Sequence, residues 1–427
     1  MERLEDSPAL FLCGLPQPGF ARIRTERSLL ASWGGVREVS AEERRARLMT
    51  RHGLVDRFGG PVEAADAMVA LHSSDPATVY LSLWARVRDF EVPDLEKALY
   101  EDKTLVRILG MRRTMWVVPT DFARAVHSSS TSALAAPQRR RLVKMLEAGD
   151  VTEDGDSWLE SVSARTMEAL DRLGEATARE LSEEVPELTS KIRAHKKDGS
   201  LIGEFGVSTR VLFQLATDGL VIRGRALGTW LSSQYRWSTT VNWLGAPLES
   251  GDRHDAQDTV LTKWLETFGP GTELDMKWWT GWPVTHVRES LERIGAVEVD
   301  LADGTGFLAA DDVDVIEEPP AGTVALLPSL DPTTMGWKER EWYLGEHGDR
   351  LFDRNGNAGP TIWLDGRIVG GWTQREDGEI AGEVFDDVAD GASRSIETEL
   401  ANLRRWLGDM NVTARFRSPH DKELDRA

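Results

Sequence analysis

The sequence predicts an α+β protein in which three similar modules, each made of helices and a β-hairpin, precede a smaller β-rich region. A pattern of helices followed by a hairpin recurs along the chain, and glycines mark the ends of its helices. The tail then changes to β-rich runs separated by Asp-Gly pairs. With 427 residues, the chain is long enough for about two to four domains.

The repeated pattern is clearest in the middle of the chain. The helical run "SWLESVSARTMEALDRLGEATARELSEEVP" is followed by "VSTRVLFQLATDGLVIRGRALGTWLSSQYRW", which predicts a further helix and two strands. The later runs "DTVLTKWLETFGPGTELDMKWWTGWP" and "VTHVRESLERIGAVEVDLADGTGFLAADDV" repeat the arrangement. Helix, short helix, helix and hairpin is the winged-helix order, in which the third helix can enter a DNA major groove.

A first copy is predicted more loosely over residues 40–120. Its opening helix follows Ser40, with Glu43 three residues on, as in a capping box. The runs "AADAMVALH" and "ATVYLSLWARV" would form its second and third helices, and "LVRILGMRRTMWVVP" would supply the hairpin strands. We therefore predict three tandem winged-helix modules.

The tail predicts a small C-terminal antiparallel β-barrel, closed by the helix "SIETELANLRRWLGDM". Asp365-Gly366 and Asp377-Gly378 separate its β-rich runs, and both pairs are strong hairpin signals. The predicted domains are a loose N-terminal extension (1–39), three winged helices (40–150, 151–245 and 246–318) and the barrel with its closing helix (319–427).

Composition limits the possible functions. The net charge is −20, with 41% hydrophobic and 29% charged residues and one cysteine. The apolar runs are too short for a membrane span, and a lone cysteine allows no intrachain disulfide, so we expect a cytoplasmic protein without a membrane partner. The chain has no phosphate-binding glycine loop and no zinc-ligand spacing, so we expect neither a cofactor nor a metal.

Positive charge is concentrated between Lys103 and Lys144, where Asp121 is the only acidic residue. A local basic face can bind phosphates even on an acidic protein, so we expect double-stranded DNA as the partner. The alternative is a basic helix that only faces water. The predicted DNA contacts are Arg112, Arg113, Arg139, Arg140, Arg141, Lys144, Arg223 and Arg225.

Two pairs among these arginines are predicted to lie on strands. Arg112 and Arg113 would alternate across one strand, with one side chain towards the core and one towards DNA. Arg223 and Arg225 are two residues apart and would share a face of another strand. Ordinary surface charges are the alternative interpretation of both pairs.

The segment "HSSDP" contains the catalytic candidates His72, Ser74 and Asp75. Helical spacing places His72 on a mostly apolar helix side, which is typical of a buried histidine, and Asp75 before Pro76 is a good N-cap. A functional role is the alternative, since hydrolysis of an N-glycosidic bond needs a positioned water and stabilisation of an oxocarbenium-like transition state. His72, with a pKa near about 6.5, could orient or deprotonate that water, with Asp75 supplying negative charge.

Trp278, Trp279 and Trp282 form a tryptophan cluster in a chain with sixteen tryptophans. They could stack on a displaced base. Their spacing favours a packed helix face instead.

Five separated stretches resemble a single bacterial family: "RLMTRHGL", "ALHSSDPATVYLSLWARV", "LVRILGMRRTMWVVP", "ALLPSLDPTTMGWKER" and "IWLDGRIVGGW". This family consists of winged-helix DNA-binding proteins and includes DNA glycosylases that remove bulky alkylated or interstrand cross-linked purines. The resemblance runs from about residue 40 to the C-terminus. It implies three tandem winged helices, a C-terminal β-barrel and a concave basic surface. We accordingly expect a monomeric, monofunctional DNA glycosylase.

The resemblance also implies a catalytic site. Characterised members carry Gln-x-Gln or Gln-x-Asp just ahead of an Asp-Pro-like turn, and these side chains position the water. The matching positions here are His72 and Ser74, so water positioning falls to His72, assisted by Ser74 or Asp75. Two alternatives stay open: a non-catalytic DNA binder, such as a regulator or damage-recognition protein, and a protein-interaction scaffold that no longer binds DNA.

Overall fold

The computed structural model describes residues 36–195, 200–248 and 250–426. Arg37–Ala427 form one compact unit of mixed α+β structure, as predicted. Most of the expected loose extension, residues 1–39, lies outside the described ranges. Its last part is not loose, because Arg37–Glu38 form a short strand, β1.

The first segment of the fold runs from β1 to the first hairpin. Its elements are α1 Ala41–Arg51, α2 Pro61–Ala67, β2 Leu71–His72, α3 Pro76–Arg86, α4 Val92–Glu96, β3 Leu105–Leu109 and β4 Met115–Pro119. The Ser40 hydroxyl accepts a hydrogen bond from the Glu43 backbone N–H (3.1 Å), which confirms the predicted start of α1. The capping box is not completed, because the Glu43 carboxylate bonds Arg37 and Arg47 instead.

The predicted second helix is wrong at its C-terminal end. Helix α2 stops at Ala67, and Val69 adopts a left-handed φ of 62° before the chain enters β2. His72 therefore lies on a strand and not on a helix face. The physical reason is that residues 68–72 are all buried, and a short run buried on every side fits a helix and a strand equally well.

The second and third segments also combine helices with a hairpin. The second contains α5 Ala123–Val126, α6 Ser132–Ala148, α7 Gly155–Leu173, β5 Glu175–Ala176, α8 Ala178–Glu184, β6 Lys191–His195, β7 Leu201–Gly206, α9 Val207–Thr217, β8 Val221–Ala226, β9 Tyr235–Thr239 and α10 Thr240–Leu244. In the second segment, β6 and β7 form an additional hairpin. The third contains α11 Arg253–Phe268, β10 Gly271–Thr272, α12 Glu273–Thr280, α13 Val284–Arg293, β11 Val297–Leu301 and β12 Gly304–Leu308.

The three segments share one strand order. In each, a short strand pairs with the second strand of the hairpin, giving β2-β4-β3, β5-β9-β8 and β10-β12-β11. The hairpin strands are antiparallel in all three. Strand β1 extends the third sheet by pairing in parallel with β11. The recurring topology is the kind of repetition that the sequence pattern predicts.

The C-terminal region forms an open sheet, so the predicted barrel is wrong. Its elements are β13 Val324–Leu327, α14 Glu341–Leu344, α15 Gly348–Leu351, β14 Thr361–Leu364, β15 Arg367–Gln374, β16 Ile380–Val384, α16 Asp390–Leu407 and α17 Pro419–Leu424. The strand order is β13-β14-β15-β16, with β13 and β16 at the edges. Four short strands are too few to close around an interior filled by side chains, and α16 packs on the sheet instead.

Two large hydrophobic cores and two smaller clusters stabilise the described part of the chain. The larger core joins the first and third segments to the C-terminal region. Aromatic rings run through it: Trp116 lies 5.8 Å from Trp279, and Phe268 lies 6.1 Å from Trp279 and 5.3 Å from Trp337 (centroid distances). The helices of the second segment pack around a core of their own.

A buried ion pair connects the first segment to the C-terminal region. Arg86 Nη2 lies 2.8 Å from Asp331 Oδ1, and both side chains are fully buried. The Ser82 hydroxyl and the Thr333 backbone N–H donate to the same carboxylate. Arg86 also donates to the His52 carbonyl (3.2 Å). Three of the five stretches that carry the family resemblance therefore meet at one structural network.

Candidate functional site

His72 is the centre of the candidate site. Its ring is 3% exposed and packs edge-on against Trp116, with the ring centroids 4.8 Å apart. Burial, together with the positive charge of Arg112, lowers the pKa of His72 to about 3. The buried histidine that the apolar pattern favours is present, and the pKa of about 6.5 assumed for the functional role is wrong, because burial disfavours the charged ring. The ring is neutral at physiological pH.

The hydrogen bonding of His72 indicates which ring nitrogen carries the proton. Nδ1 accepts a long hydrogen bond (3.4 Å) from the Ser74 backbone N–H. In a neutral imidazole the proton then lies on Nε2. Nε2 has no hydrogen-bond partner within the described ranges, so its N–H can be donated to a water or a substrate.

Ser74 and Asp75 connect β2 to α3. The Ser74 hydroxyl accepts a long hydrogen bond (3.4 Å) from the Met115 backbone N–H. Asp75 accepts hydrogen bonds from the backbone N–H groups of Ala77 (3.1 Å) and Arg415 (2.7 Å), and burial raises the pKa of its carboxyl group. The N-cap prediction for Asp75 is confirmed, and both of its carboxylate oxygens are engaged by backbone.

Arg112 and Arg113 lie in the turn between β3 and β4, and not on a strand as predicted. Strand β3 ends before Gly110, and the two arginines have left-handed φ angles of 53° and 60°. Such a conformation is strained in a residue other than glycine. The turn sends the side chains in different directions. The Arg112 guanidinium lies 4.0 Å from the centroid of the Trp278 ring, whereas Arg113 lines a pocket with Arg141.

A second guanidinium group lies on the Trp278 ring. The Arg340 guanidinium carbon is 5.1 Å from the centroid of this ring and 4.5 Å from that of Phe352. Burial and the charge of Arg340 lower the pKa of Arg112 to about 10, so Arg112 remains charged at neutral pH. Sequence reasoning did not single out Arg340. The available signal was its position at the end of the stretch "ALLPSLDPTTMGWKER".

Helix α6 carries a basic concave surface. Arg140, Arg141 and Lys144 line a pocket of about 590 Å³ together with Arg193 of β6. Arg141 also lines the adjoining pocket beside Arg113. We call Arg113, Arg140, Arg141 and Lys144 the α6 basic surface. In the part of the chain that the structure describes, these four side chains form no ion pair.

The other predicted DNA contacts are engaged by protein groups. Arg139 forms an ion pair with Asp156 (3.1 Å), and Arg225 forms one with Glu96 (3.0 Å). Arg223 is half-buried, with its guanidinium group over two aromatic rings of β9. Arg223 and Arg225 do lie on one strand, β8, as predicted.

The structure separates the three clustered tryptophans. Trp279 and Trp282 are buried and pack in the core, as their spacing favours. Trp278 is only partly buried, and it lies between core and surface under the two guanidinium groups. Trp279 also packs on Trp116, the ring that supports His72.

The described part of the chain offers neither a metal site nor a membrane-spanning helix. No group of three or more His, Cys, Asp or Glu side chains is placed there to hold a metal ion. No helix found there is long and apolar enough to cross a bilayer.

Comparison with known proteins identifies the family. A family model described as DNA glycosylase AlkZ-like matches residues 65–406, which is most of the chain. The chain belongs to the AlkZ-like DNA glycosylase family. The matched range includes His72, Ser74, Arg112 and Arg340. The predicted enzyme class, a DNA glycosylase that hydrolyses N-glycosidic bonds, is thereby confirmed.

A solved structure is also similar to this AlkZ-like glycosylase. The match is to the DNA glycosylase AlkZ of Streptomyces sahachiroi, with a TM-score of 0.67 and 19% sequence identity. It covers 88% of this chain and 99% of that chain. At this identity, the likeness concerns the fold. A search of curated proteins finds no match.

The buried histidines of the AlkZ-like chain predict a stability that depends on pH. Burial lowers the pKa values of His52 and His72 to about 3, whereas an unfolded histidine has a pKa of about 6.5. The folded state therefore binds fewer protons, and stability is fully present above about pH 6.5 and is lost as the pH falls towards 3. We expect each of the two histidines to reduce the free energy of unfolding by about 1.4 kcal/mol between pH 7.5 and 5.5. Urea unfolding measures this loss.

The control for this prediction is His72→Gln, because glutamine does not titrate. The loss of stability between pH 7.5 and 5.5 should be smaller in this variant by about 1.4 kcal/mol. The same loss in both proteins would show that His72 is not held neutral by the fold.

Proposed function

We propose that this DNA glycosylase hydrolyses the N-glycosidic bond of bulky alkylated purines in duplex DNA, and that it works as a monomer in the cytoplasm. The observation that carries the proposal is the neutral His72 ring, whose Nε2–H is not bonded within the described part of the chain. Membership of the AlkZ-like family supports the class of reaction.

The chemistry of the substrate suits a neutral histidine. A purine alkylated on a ring nitrogen carries a positive charge, so it can leave without being protonated, and the sugar develops oxocarbenium character. The enzyme then has to hold a water at the anomeric carbon. A neutral imidazole orients this water without placing another positive charge beside the sugar. A group with a pKa of about 3 is a weak base, so we assign His72 to positioning the water.

Ser74 and Asp75 assist in this proposal by holding His72 in place. The Ser74 backbone N–H bonds the ring, and Asp75 caps α3 and anchors the connection between β2 and α3. Trp116 supports the ring from one side, and its Nε1 donates to the carbonyl of Met111 in the hairpin turn (3.2 Å). The turn that carries the two arginines is therefore tied to His72.

We infer that the three repeated segments act as winged helices on DNA. Support comes from their common strand order. Phosphates would bind along the α6 basic surface. Arg113 belongs to this surface, and the charge of its neighbour Arg112 acts on His72, so in this proposal the hairpin turn would connect the bound phosphates to the lesion.

The proposal is tested by excision from a defined duplex. Purified protein is incubated with DNA that carries a single N7-alkylguanine, and abasic sites are measured as strand breaks after alkali, against a sample without protein. We expect abasic sites at the lesion in excess of spontaneous loss, and none in undamaged DNA. No excess product with a fully folded protein would refute the proposal.

The same duplex tests the α6 basic surface. Replacing Arg140, Arg141 and Lys144 with glutamine should weaken binding and reduce the slope of log affinity against log salt, by about 0.9 for each phosphate that the protein no longer neutralises. The matched control replaces Arg165, Arg172 and Arg179 with glutamine. These three arginines, of which Arg172 and Arg179 are exposed and Arg165 is half-buried, each pair with a glutamate, so their removal should leave the slope unchanged.

A further inference from the structure

The two guanidinium groups on Trp278 lack a counterion in the described ranges. The Nε atoms of Arg112 and Arg340 are both buried without a hydrogen-bond partner. Arg340 donates through Nη2 to the Trp337 carbonyl (2.8 Å), which is neutral. Burial lowers the pKa of Arg112, and among the described residues the charge that lowers it further is that of a second cation, Arg340. The site therefore holds two positive charges and unused donors.

The other buried arginines of this chain differ in their partners: Arg107 donates to the hydroxyl groups of Ser73 (2.8 Å) and Tyr100 (3.0 Å), and Arg44 also keeps Nε and Nη2 without a partner. Three have a carboxylate partner: Arg44 pairs with Asp303 (3.0 Å), Arg47 with Asp312 (2.8 Å) and Arg86 with Asp331 (2.8 Å). A buried charge is unfavourable unless it is paired and hydrogen-bonded. An anion bound between Arg112 and Arg340 would supply the negative charge and the hydrogen-bond acceptors that Arg44, Arg47 and Arg86 receive from carboxylates.

The backbone keeps Arg112 in this position. Arg112 adopts a left-handed φ of 53°, a conformation that the surrounding structure has to impose. Gly281, at the end of α12, passes close to it: a Cβ added to Gly281 would lie 3.3 Å from Arg112 Cγ. Gly281 itself has a φ of 76°, which favours glycine. The turn and the helix end are thus both shaped around this side chain.

The location of the pair indicates the kind of anion. Under the proposed function, on which this inference rests, a sugar becomes cationic beside His72. The Arg112 guanidinium, whose charge acts on His72, and the Arg340 guanidinium on the same Trp278 ring would oppose that charge, whereas a bound phosphate would offset them. Guanidinium groups bind phosphate oxygens through paired N–H donors. We propose that Arg112 and Arg340, held by the Trp278 ring, bind a backbone phosphate next to the lesion nucleotide.

A scan with neutral phosphate analogues tests this site. Duplexes with a single N7-alkylguanine carry one methylphosphonate at each successive position around the lesion, and binding to each is measured. We expect one position to weaken wild-type binding by about tenfold. Arg340→Gln should bind the unmodified duplex about tenfold more weakly and lose its sensitivity at that position. Its salt slope should fall by about one.

The controls separate charge from packing. Arg340→Lys keeps the charge and should keep the salt slope. Arg350→Gln is the matched control, because Arg350 also lies over an aromatic ring (Phe385, 3.7 Å) but is paired with Glu383 (2.9 Å). Its binding should equal that of the wild type. An Arg340→Gln variant that retains the full penalty at the sensitive phosphate overturns the proposal.

The scan also separates this proposal from the proposed function. Wild-type excision is measured on the same duplexes. Excision without any sensitive phosphate would overturn the phosphate site alone, and a sensitive phosphate without excision would overturn the glycosylase function alone. If Arg340→Gln does not fold, the wild-type scan still decides, since the absence of a sensitive position contradicts the site.

Discussion

Replacing His72 with alanine is expected to lower the rate of base excision by on the order of 10²- to 10⁴-fold, while duplex binding is unchanged. The alanine has no group to orient the water, whereas the α6 basic surface that is proposed to bind phosphates is unchanged. A single-turnover assay with protein in excess over the N7-alkylguanine duplex measures the chemical step. Binding is measured on the same DNA at the same salt concentration.

His72→Gln is the informative companion variant. Glutamine is neutral and can donate and accept hydrogen bonds, so it should retain more activity than His72→Ala. The wild-type rate should not change with pH between about 6 and 8, because the pKa of His72 lies near 3. Equal excision by wild type and His72→Ala would remove His72 from the mechanism, and an inflection near pH 6.5 would show that the ring titrates during the reaction.

Replacing Asp331 with alanine is expected to reduce the free energy of unfolding by about 3–5 kcal/mol. Burial alone would raise the pKa of this carboxyl group, but the Arg86 charge and the hydrogen bonds from Ser82 and Thr333 outweigh burial and lower the pKa. The carboxylate is therefore charged at neutral pH, and its loss leaves Arg86 charged in the core. Urea unfolding at pH 7.5 measures the change.

A double variant distinguishes charge from packing. Arg86→Met with Asp331→Leu replaces both charges with apolar groups, so it should be more stable than Asp331→Ala. Glu183→Ala removes one partner of an exposed ion pair with Arg179 and should leave stability unchanged. If the double variant were as unstable as Asp331→Ala, an unpaired charge would not explain the loss.

Features that depend on neighbouring residues could be predicted from the sequence. The cap at Ser40, the cap at Asp75 before Pro76 and the hairpin turn at Asp365-Gly366 are all present. Asp365 and Gly366 have φ angles of 49° and 79°, which is why an Asp-Gly pair predicts such a turn. The chemistry of each of these features is complete within a few residues, so no distant partner has to be known.

Features that depend on distant residues were predicted poorly. His72 packs on Trp116, and burial together with the charge of Arg112 lowers its pKa. The apolar pattern around His72 in the sequence did not show which distant residues surround the ring. Arg340 meets Arg112 only because α12 places Trp278 between them. The barrel prediction was wrong for a similar reason. Hairpin signals predict which neighbouring strands pair, but they do not show whether the two edge strands, β13 and β16, pair with each other.

The ion pair between Arg86 and Asp331 has a consequence for how the chain matures during synthesis. The two residues are 245 positions apart, so the helix that carries Arg86 is translated long before its partner. At typical rates of translation, this delay is on the order of tens of seconds. During that interval, burial of the Arg86 guanidinium without its carboxylate partner is unfavourable, so the core around Arg86 cannot be completed. Shortening the chain before residue 331 would make that state permanent.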